Sequence, residues 1–126
     1  MPPTVVNVQV TPRDLNGQNV VCRIAGIRPH VRGGVIFLNP GDDYELRFNL
    51  NPAHGLTWAN PPFASRQDEC PNPGQNDPEF PYSGKSGANT FIVDAAPRGQ
   101  TVVHYMLNFD NAGGGQSHCD PIIING

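Results

Sequence analysis

Lysine is nearly absent from this sequence, with Lys85 alone beside seven arginines, and the formal net charge is −3. No stretch concentrates basic side chains, which argues against a nucleic-acid partner held through its phosphates. No apolar run approaches the ~20 residues that a membrane-spanning helix needs, so no membrane span is predicted. Residues 1–5 lack the charged and apolar regions of a signal peptide, which favours a cytoplasmic location unless a leader has been removed.

Cysteine is also scarce, since the chain has only Cys22, Cys70 and Cys119. Three thiols allow one disulfide at most and leave one thiol over. That odd number and the missing leader favour reduced thiols. A disulfide is not required for stability, because a chain of about this length buries roughly two-thirds of its unfolded surface without one.

Glycine and proline are abundant, at fourteen residues each, as expected of a chain with many turns. No window combines an apolar helical stripe with capping residues. In 43–50, Tyr44, Leu46, Phe48 and Leu50 alternate with polar residues, which is the period of a half-buried strand. Other strand-like segments are 4–10, 19–24, 33–38, 89–94, 101–109 and 119–125, with 12–18 predicted as a turn. We therefore predict one all-β domain over 1–126, a single antiparallel β-sandwich of seven or eight strands.

A long segment at about 60–88 is rich in proline and glycine, and loops of this length are often functional. Four aromatic residues lie in it or beside it: Trp58, Phe63, Phe80 and Tyr82. Exposed aromatic rings next to such a loop suit a protein or glycan partner, which makes these four the candidate binding residues. The alternative is that the rings anchor the loop onto the sandwich.

His54, His118 and Cys119, with Cys70 as a further candidate, have side chains that bind zinc or copper. The close pairs typical of structural zinc sites do not occur. His118 and Cys119 are adjacent, so in a strand they point to opposite faces. The alternative is therefore an ordinary histidine beside a buried cysteine, and no cofactor is predicted.

The segment from Tyr105 to Ile124 places a cysteine at the start of the last strand, after a tyrosine-containing partner strand, and so resembles cupredoxin-like proteins. That resemblance implies a Greek-key sandwich, which we interpret as a cupredoxin-like frame without its copper. Copper-binding members follow the cysteine with a histidine and often a methionine, and neither follows Cys119 here. The overall strand pattern is also similar to immunoglobulin-like domains. The ending Cys119-Asp-Pro-Ile-Ile-Ile resembles small uncharacterised bacterial β-sandwich proteins that close with an Asp-Pro-x-Ile strand.

Catalysis is not indicated. Ser117, His118 and Asp120 have the residue types of a triad, but sequence neighbours rarely hold triad geometry, and no Gly-x-Ser-x-Gly elbow is present. We expect a non-enzymatic binding module that uses the 60–88 loop and the glycine-rich hairpin at 110–118. Metal binding and thiol redox chemistry are the alternatives, and unpaired edge strands offer a route to homo-oligomers.

Overall fold

The computed structural model describes residues 2–16, 19–72, 74–100, 102–120 and 122–125. It contains no helix, and 59% of the chain is strand, which confirms the all-β prediction. Eleven strands occur in the described ranges, more than the seven or eight expected. The strands are β1 Thr4–Asn16, β2 Asn19–Gly26, β3 Val31–Arg32, β4 Val35–Leu38, β5 Tyr44–Leu50, β6 Thr57–Gln67, β7 Tyr82–Lys85, β8 Thr90–Ala95, β9 Val102–Asp110, β10 Gln116–Cys119 and β11 Ile122–Asn125.

The core follows the alternation in the sequence. Tyr44, Leu46, Phe48 and Leu50 are all buried, and the polar residues between them face outward, as predicted. Alternate residues of β1 and β8 are buried in the same layer. The ring of Phe48 stacks on Phe91 with centroids 4.8 Å apart, so neighbouring strands interlock through aromatic contact.

The strands form one large mixed sheet that is nearly closed into a barrel, in the order β3-β4-β11-β9-β10-β2-β1-β5-β8-β7, with β6 on the other edge of β9. Three pairings are parallel: β1 with β5, β2 with β10, and β4 with β11. The expected antiparallel sandwich is therefore not confirmed. Parallel pairing arises because β5 and β11 reach their neighbours through long connections, and only a short turn forces antiparallel pairing.

The segment predicted as a loop at 60–88 contains most of β6 and all of β7, so the connection between these strands is 68–81. Proline disfavours a strand because it cannot donate to the ladder. Here Pro61 and Pro62 lie where the β6–β9 register shifts, between Trp58 and Phe63, and no ladder partner is required of them. The bulge lets β6 carry two prolines.

Two strand ends also differ from the prediction. β1 runs to Asn16 across the predicted turn, with a register shift between Pro12 and Asp14; Gly17 and Gln18 lie outside the described residues. The predicted last strand, 119–125, is interrupted at Asp120: β11 covers its second part, and β10 takes in Cys119 together with 116–118, which were predicted as part of the glycine-rich hairpin loop. Both pieces pair antiparallel with β9 along one edge, so the predicted pairing of the last two segments is confirmed.

Candidate functional site

A cleft of about 450 Å³ lies between β2 and the hairpin formed by β3 and β4. We call it the arginine cleft, because three arginine side chains belong to its wall. Its lining residues are Cys22, Arg23, Ile24, Ala25, Gly26, Arg28, Val31, Arg32, Gly33 and Gly34.

One wall of the cleft is the outer edge of β2. The inner edge pairs with β1 along its whole length. On the outer edge, pairing with β10 is confined to Asn19 and His118, and no other strand among the described residues pairs there. Every second residue of an antiparallel strand directs its amide and carbonyl away from the partner. The β2 edge beside the cleft therefore offers free backbone donors and acceptors.

The opposite wall is a tight hairpin. Val31 pairs with Ile36 and Arg32 with Val35, which leaves a two-residue turn at Gly33-Gly34. Both glycines have positive φ, 59° and 77°, as the twisted turn of a two-residue hairpin requires.

Gly26 fixes the distance between the walls at the end of β2. A Cβ added to Gly26 would lie 2.8 Å from the carbonyl oxygen of Asn7 and 2.8 Å from the Cβ of Val31. Glycine is the residue that permits so close an approach, and Val31 is buried as a result.

The charge of the cleft is not balanced within the described chain. Arg47, Arg66 and Arg98 each form an ion pair with a carboxylate. No ion pair with a described residue involves the three arginines of the cleft, and all three are exposed. The guanidinium carbon of Arg32 lies 4.4 Å from the ring centre of Phe37, a cation–π contact that holds this side chain at the rim.

Two exposed apolar side chains belong to residues next to cleft residues in the sequence. Ile27 follows β2 directly and is 84% exposed, and Val21 within β2 is 60% exposed. A smaller cavity of about 200 Å³ shares Arg28 with the cleft and is lined by Ile27 and Val5. Arginine next to exposed aliphatic groups is the composition of a protein-binding surface.

A second cavity of about 290 Å³ adjoins the first and is lined by Val20, Cys22, Ile24, Gly34, Cys119 and Asp120. The Cys22 thiol beside Cys119, together with burial, raises the pKa of the Cys119 thiol well above its ordinary value. Burial, and then the nearby Cys119 and Cys22, also raise the pKa of Tyr105. The Tyr105 hydroxyl is buried and has no hydrogen-bond partner in the described structure.

The four aromatic candidates are not exposed rings around a loop. Trp58, Phe63 and Phe80 are at most 2% exposed, and Tyr82 is half-buried against the core. The indole of Trp58 stacks on Phe109 and donates to the carbonyl oxygen of Asn89 at 2.9 Å. Trp58 and Phe63 lie in β6 and Phe80 lies in the 68–81 connection, and all three belong to the core, while Tyr82 of β7 packs against it.

The 68–81 connection is held by backbone hydrogen bonds as well. The amide of Asp77 donates to the hydroxyl of Ser65 at 2.9 Å, and the Asp77 carboxylate accepts from the amide of Glu79. The Glu79 carboxylate in turn accepts from the amide of Arg98. Ser65 and Asp77 are buried, so the connection packs onto the sheet.

The metal candidates are not brought together. The Nε2 atom of His54 lies 2.8 Å from the carbonyl oxygen of Arg13, near the far end of β1. His118 lines a different cavity from Cys119, as expected for adjacent residues of a strand. Cys70 is exposed in the 68–81 connection. Within the described residues there is no group of three or more histidine, cysteine or acidic side chains that could hold a metal ion.

The triad-like residue types do not assemble either. Ser117 is buried and its hydroxyl donates to the side-chain oxygen of Asn111 at 2.6 Å, within the turn that joins β9 and β10. This hydrogen bond gives Ser117 a structural role in the glycine-rich hairpin.

Arg23, Arg28 and Arg32 were not predicted as site residues from the sequence. They form no basic run, and β2 and the β3–β4 hairpin bring them together only after folding. One signal was present: three of the seven arginines fall within ten residues, in a segment with no acidic residue. The contact between Cys22 and Cys119 had no sequence signal, because nearly the whole chain separates the two residues.

No helix in the described ranges is long and apolar enough to cross a membrane. In comparisons with known proteins, no protein-family model and no curated protein matches this chain.

Proposed function

We propose that this protein is a non-enzymatic binding module whose arginine cleft takes an extended acidic segment of a partner protein. The observation that carries the proposal is the coincidence of three arginines, none in an ion pair with a described residue, with an unpaired strand edge. The arginines can bind carboxylates, and the strand edge can bind the backbone of another strand. An extended acidic segment provides both.

The distribution of basic side chains favours an acidic ligand. The chain has eight cationic side chains against eleven acidic ones, yet three of the eight lie around one cleft. Guanidinium groups bind carboxylates through paired N–H donors, and such charge-assisted hydrogen bonds are stronger than neutral ones. A locally positive cleft on an acidic protein also selects against basic partners.

The free edge of β2 favours a ligand in an extended conformation. An extended peptide added to the free edge of β2 would gain main-chain hydrogen bonds, and alternate side chains would point to the same side. Carboxylates at every second position would then face the arginine side chains. The expected ligand is a short strand that alternates acidic and small apolar residues.

A protein partner fits better than a free anion because of the apolar surroundings. Ile27 and Val21 lie beside the cleft with most of their surface exposed, and a small anion leaves them uncovered. Asp120 borders the adjoining cavity and disfavours a carboxylate at that end. The acidic residues of the partner should therefore bind nearest Arg28 and Arg32.

Fluorescence anisotropy with a labelled peptide that alternates glutamate and valine tests this proposal. We expect saturable binding that weakens as salt rises, and loss of at least tenfold in affinity when Arg23, Arg28 and Arg32 are all replaced by glutamine. The matched control replaces Arg47, Arg66 and Arg98 by glutamine, which removes the same net charge. That control should retain most of the affinity.

Two peptide variants separate the charge argument from the edge argument. A lysine-for-glutamate peptide should not bind, and a peptide methylated at alternate backbone nitrogens should bind more weakly than its parent. Equal loss in the two arginine triple variants would contradict the proposal, because net charge alone would then explain binding. Binding that survives the cleft variant but disappears when the 68–81 connection is shortened would move the site to that connection.

The finer architecture is also a proposal. Two halves of the curled sheet, one around β1, β5 and β8 and the other around β6 and β9, support a sandwich of the immunoglobulin-like or cupredoxin-like kind. An experimental structure, with the packing angle between these halves, would test it. A glycan ligand and a metal-binding function are not proposed, since the candidate rings are buried and the candidate ligands are dispersed.

A further inference from the structure

Cys22 and Cys119 meet although nearly the whole chain lies between them. Cys22 is on β2 and Cys119 ends β10, and the two strands share one pairing, between Asn19 and His118. Beyond that pairing the side chains of the two cysteines line one cavity, and the Cys22 thiol is near enough to raise the pKa of Cys119. Two cysteines on neighbouring strands that line one cavity can form a disulfide if their Cα atoms come within about 7 Å of each other.

The two sulfurs differ in accessibility. Cys22 is half-buried and also lines the arginine cleft, whereas Cys119 is 7% exposed. The groups that face Cys119 are the Cys22 thiol, the Tyr105 hydroxyl and the Asp120 carboxylate. No cationic group is among them, so no neighbouring charge stabilises a thiolate at Cys119. Cys119 therefore loses its proton only when its sulfur bonds to the sulfur of Cys22.

We propose that Cys22 and Cys119 form an intramolecular disulfide, and that Cys22 reacts first. A low-molecular-weight disulfide such as oxidised glutathione is the oxidant. The Cys22 thiolate attacks one of its sulfurs, forms a mixed disulfide and releases one thiol. The sulfur of Cys119 then attacks the sulfur of Cys22, its proton passes to solvent, and the second thiol leaves. Two protein thiols are oxidised and one glutathione disulfide is reduced to two thiols.

This proposal is independent of whether the arginine cleft binds a partner. It reverses the expectation of reduced thiols drawn from the odd cysteine number, because the structure separates the pair from Cys70, which is exposed on the 68–81 connection. Cys70 is therefore the cysteine left without a disulfide partner, and Cys22 and Cys119 form the pair.

The experiment uses the full chain with Cys70→Ser, which removes intermolecular bridging. The folded protein is incubated with oxidised glutathione, free thiols are blocked with N-ethylmaleimide in denaturant, and the intact mass is measured. We expect a mass lower by two hydrogens, with no alkylation and no retained glutathione. Trypsin, which cleaves after arginine, should then release a linked pair of peptides, 14–23 and 99–126. The thermal midpoint should rise by roughly 15 °C and return on reduction.

Two further variants test the order of attack. Cys70→Ser with Cys119→Ala should retain one glutathione on Cys22, because no second thiol displaces it. Cys70→Ser with Cys22→Ala should stay free of glutathione while folded, because Cys119 is buried. A folded Cys70→Ser protein that keeps both thiols, or that carries glutathione on Cys22 without closing the bridge, would overturn the proposal.

Discussion

Alkaline pH should destabilise this protein through Tyr105 and Cys119. Both groups stay protonated in the folded state because burial, and for Cys119 first the contact with Cys22, raise their pKa values above the ordinary 10.0 and 9.0. In the unfolded chain both ionise near those ordinary values. The unfolded state therefore binds fewer protons at high pH, so the free energy of unfolding falls as pH rises.

The size of the effect follows from proton linkage. Each group lowers the free energy of unfolding by about 1.4 kcal/mol per pH unit above its unfolded pKa. Between pH 9 and pH 11, Cys119 acts over both units and Tyr105 mainly over the second. Together they remove about 4 kcal/mol, a large part of the roughly 5–15 kcal/mol that stabilises an ordinary domain.

Urea unfolding of the reduced protein from pH 8 to pH 11 measures this slope. The matched variant combines Tyr105→Phe with Cys119→Ala and should show a slope smaller by the amount above, whatever its stability at pH 8. Tyr105→Phe alone should cost little at pH 8, because the hydroxyl it removes has no hydrogen-bond partner in the described structure. If the parent and the double variant lost stability in parallel, the two groups would not be held protonated by the fold.

Three further changes have expected outcomes in urea or thermal unfolding. Gly26→Ala should destabilise by about 1–3 kcal/mol because the new methyl group meets the carbonyl oxygen of Asn7, whereas Gly99→Ala, which meets open space, should change little; equal effects would contradict the close approach. Ser65→Ala should cost about 1–3 kcal/mol because the amide of Asp77 loses its acceptor. Ser65→Thr keeps a hydroxyl and serves as the control. A neutral result for Ser65→Ala would show that this hydroxyl does not contribute to stability. The proposed disulfide should stabilise the oxidised form by about 4–5 kcal/mol, since it closes a loop of roughly 100 residues; an unchanged urea midpoint on oxidation would refute this value.

The parts of the fold that sequence could predict are those with a local period. β5 was predicted to within one residue because Tyr44, Leu46, Phe48 and Leu50 alternate without interruption, and β8 and β9 have the same signal. Proline misled the prediction at Pro61 and Pro62. Its local effect is to end a strand, but the bulge in β6 removes the need for a donor there.

The topology and the site depend on contacts that no local pattern encodes. Nothing in residues 35–38 indicates that they pair with 122–125. Parallel pairing in the sheet therefore could not be predicted from this part of the sequence. The aromatic candidates illustrate the same limit, because an aromatic ring beside a loop has the same sequence signal whether it faces solvent or the core. Arg23 and Arg32 belong to one cleft only once β2 and the hairpin lie side by side.

The parallel pairing of β4 with β11 has a consequence for how the chain folds. β4 lies in the first third of the sequence, and its neighbour is among the last residues, so this part of the sheet cannot form until nearly all of the chain is present. Until then β4 has only the two residues of β3 beside it, and Ile36 lacks the cover it has in the finished core. Pairings between such distant segments are slow to form, because the entropy of closing a long loop is lost before the contacts are gained. We therefore expect the β4–β11 pairing to form late in folding, and the arginine cleft, whose hairpin includes β4, to be completed with it.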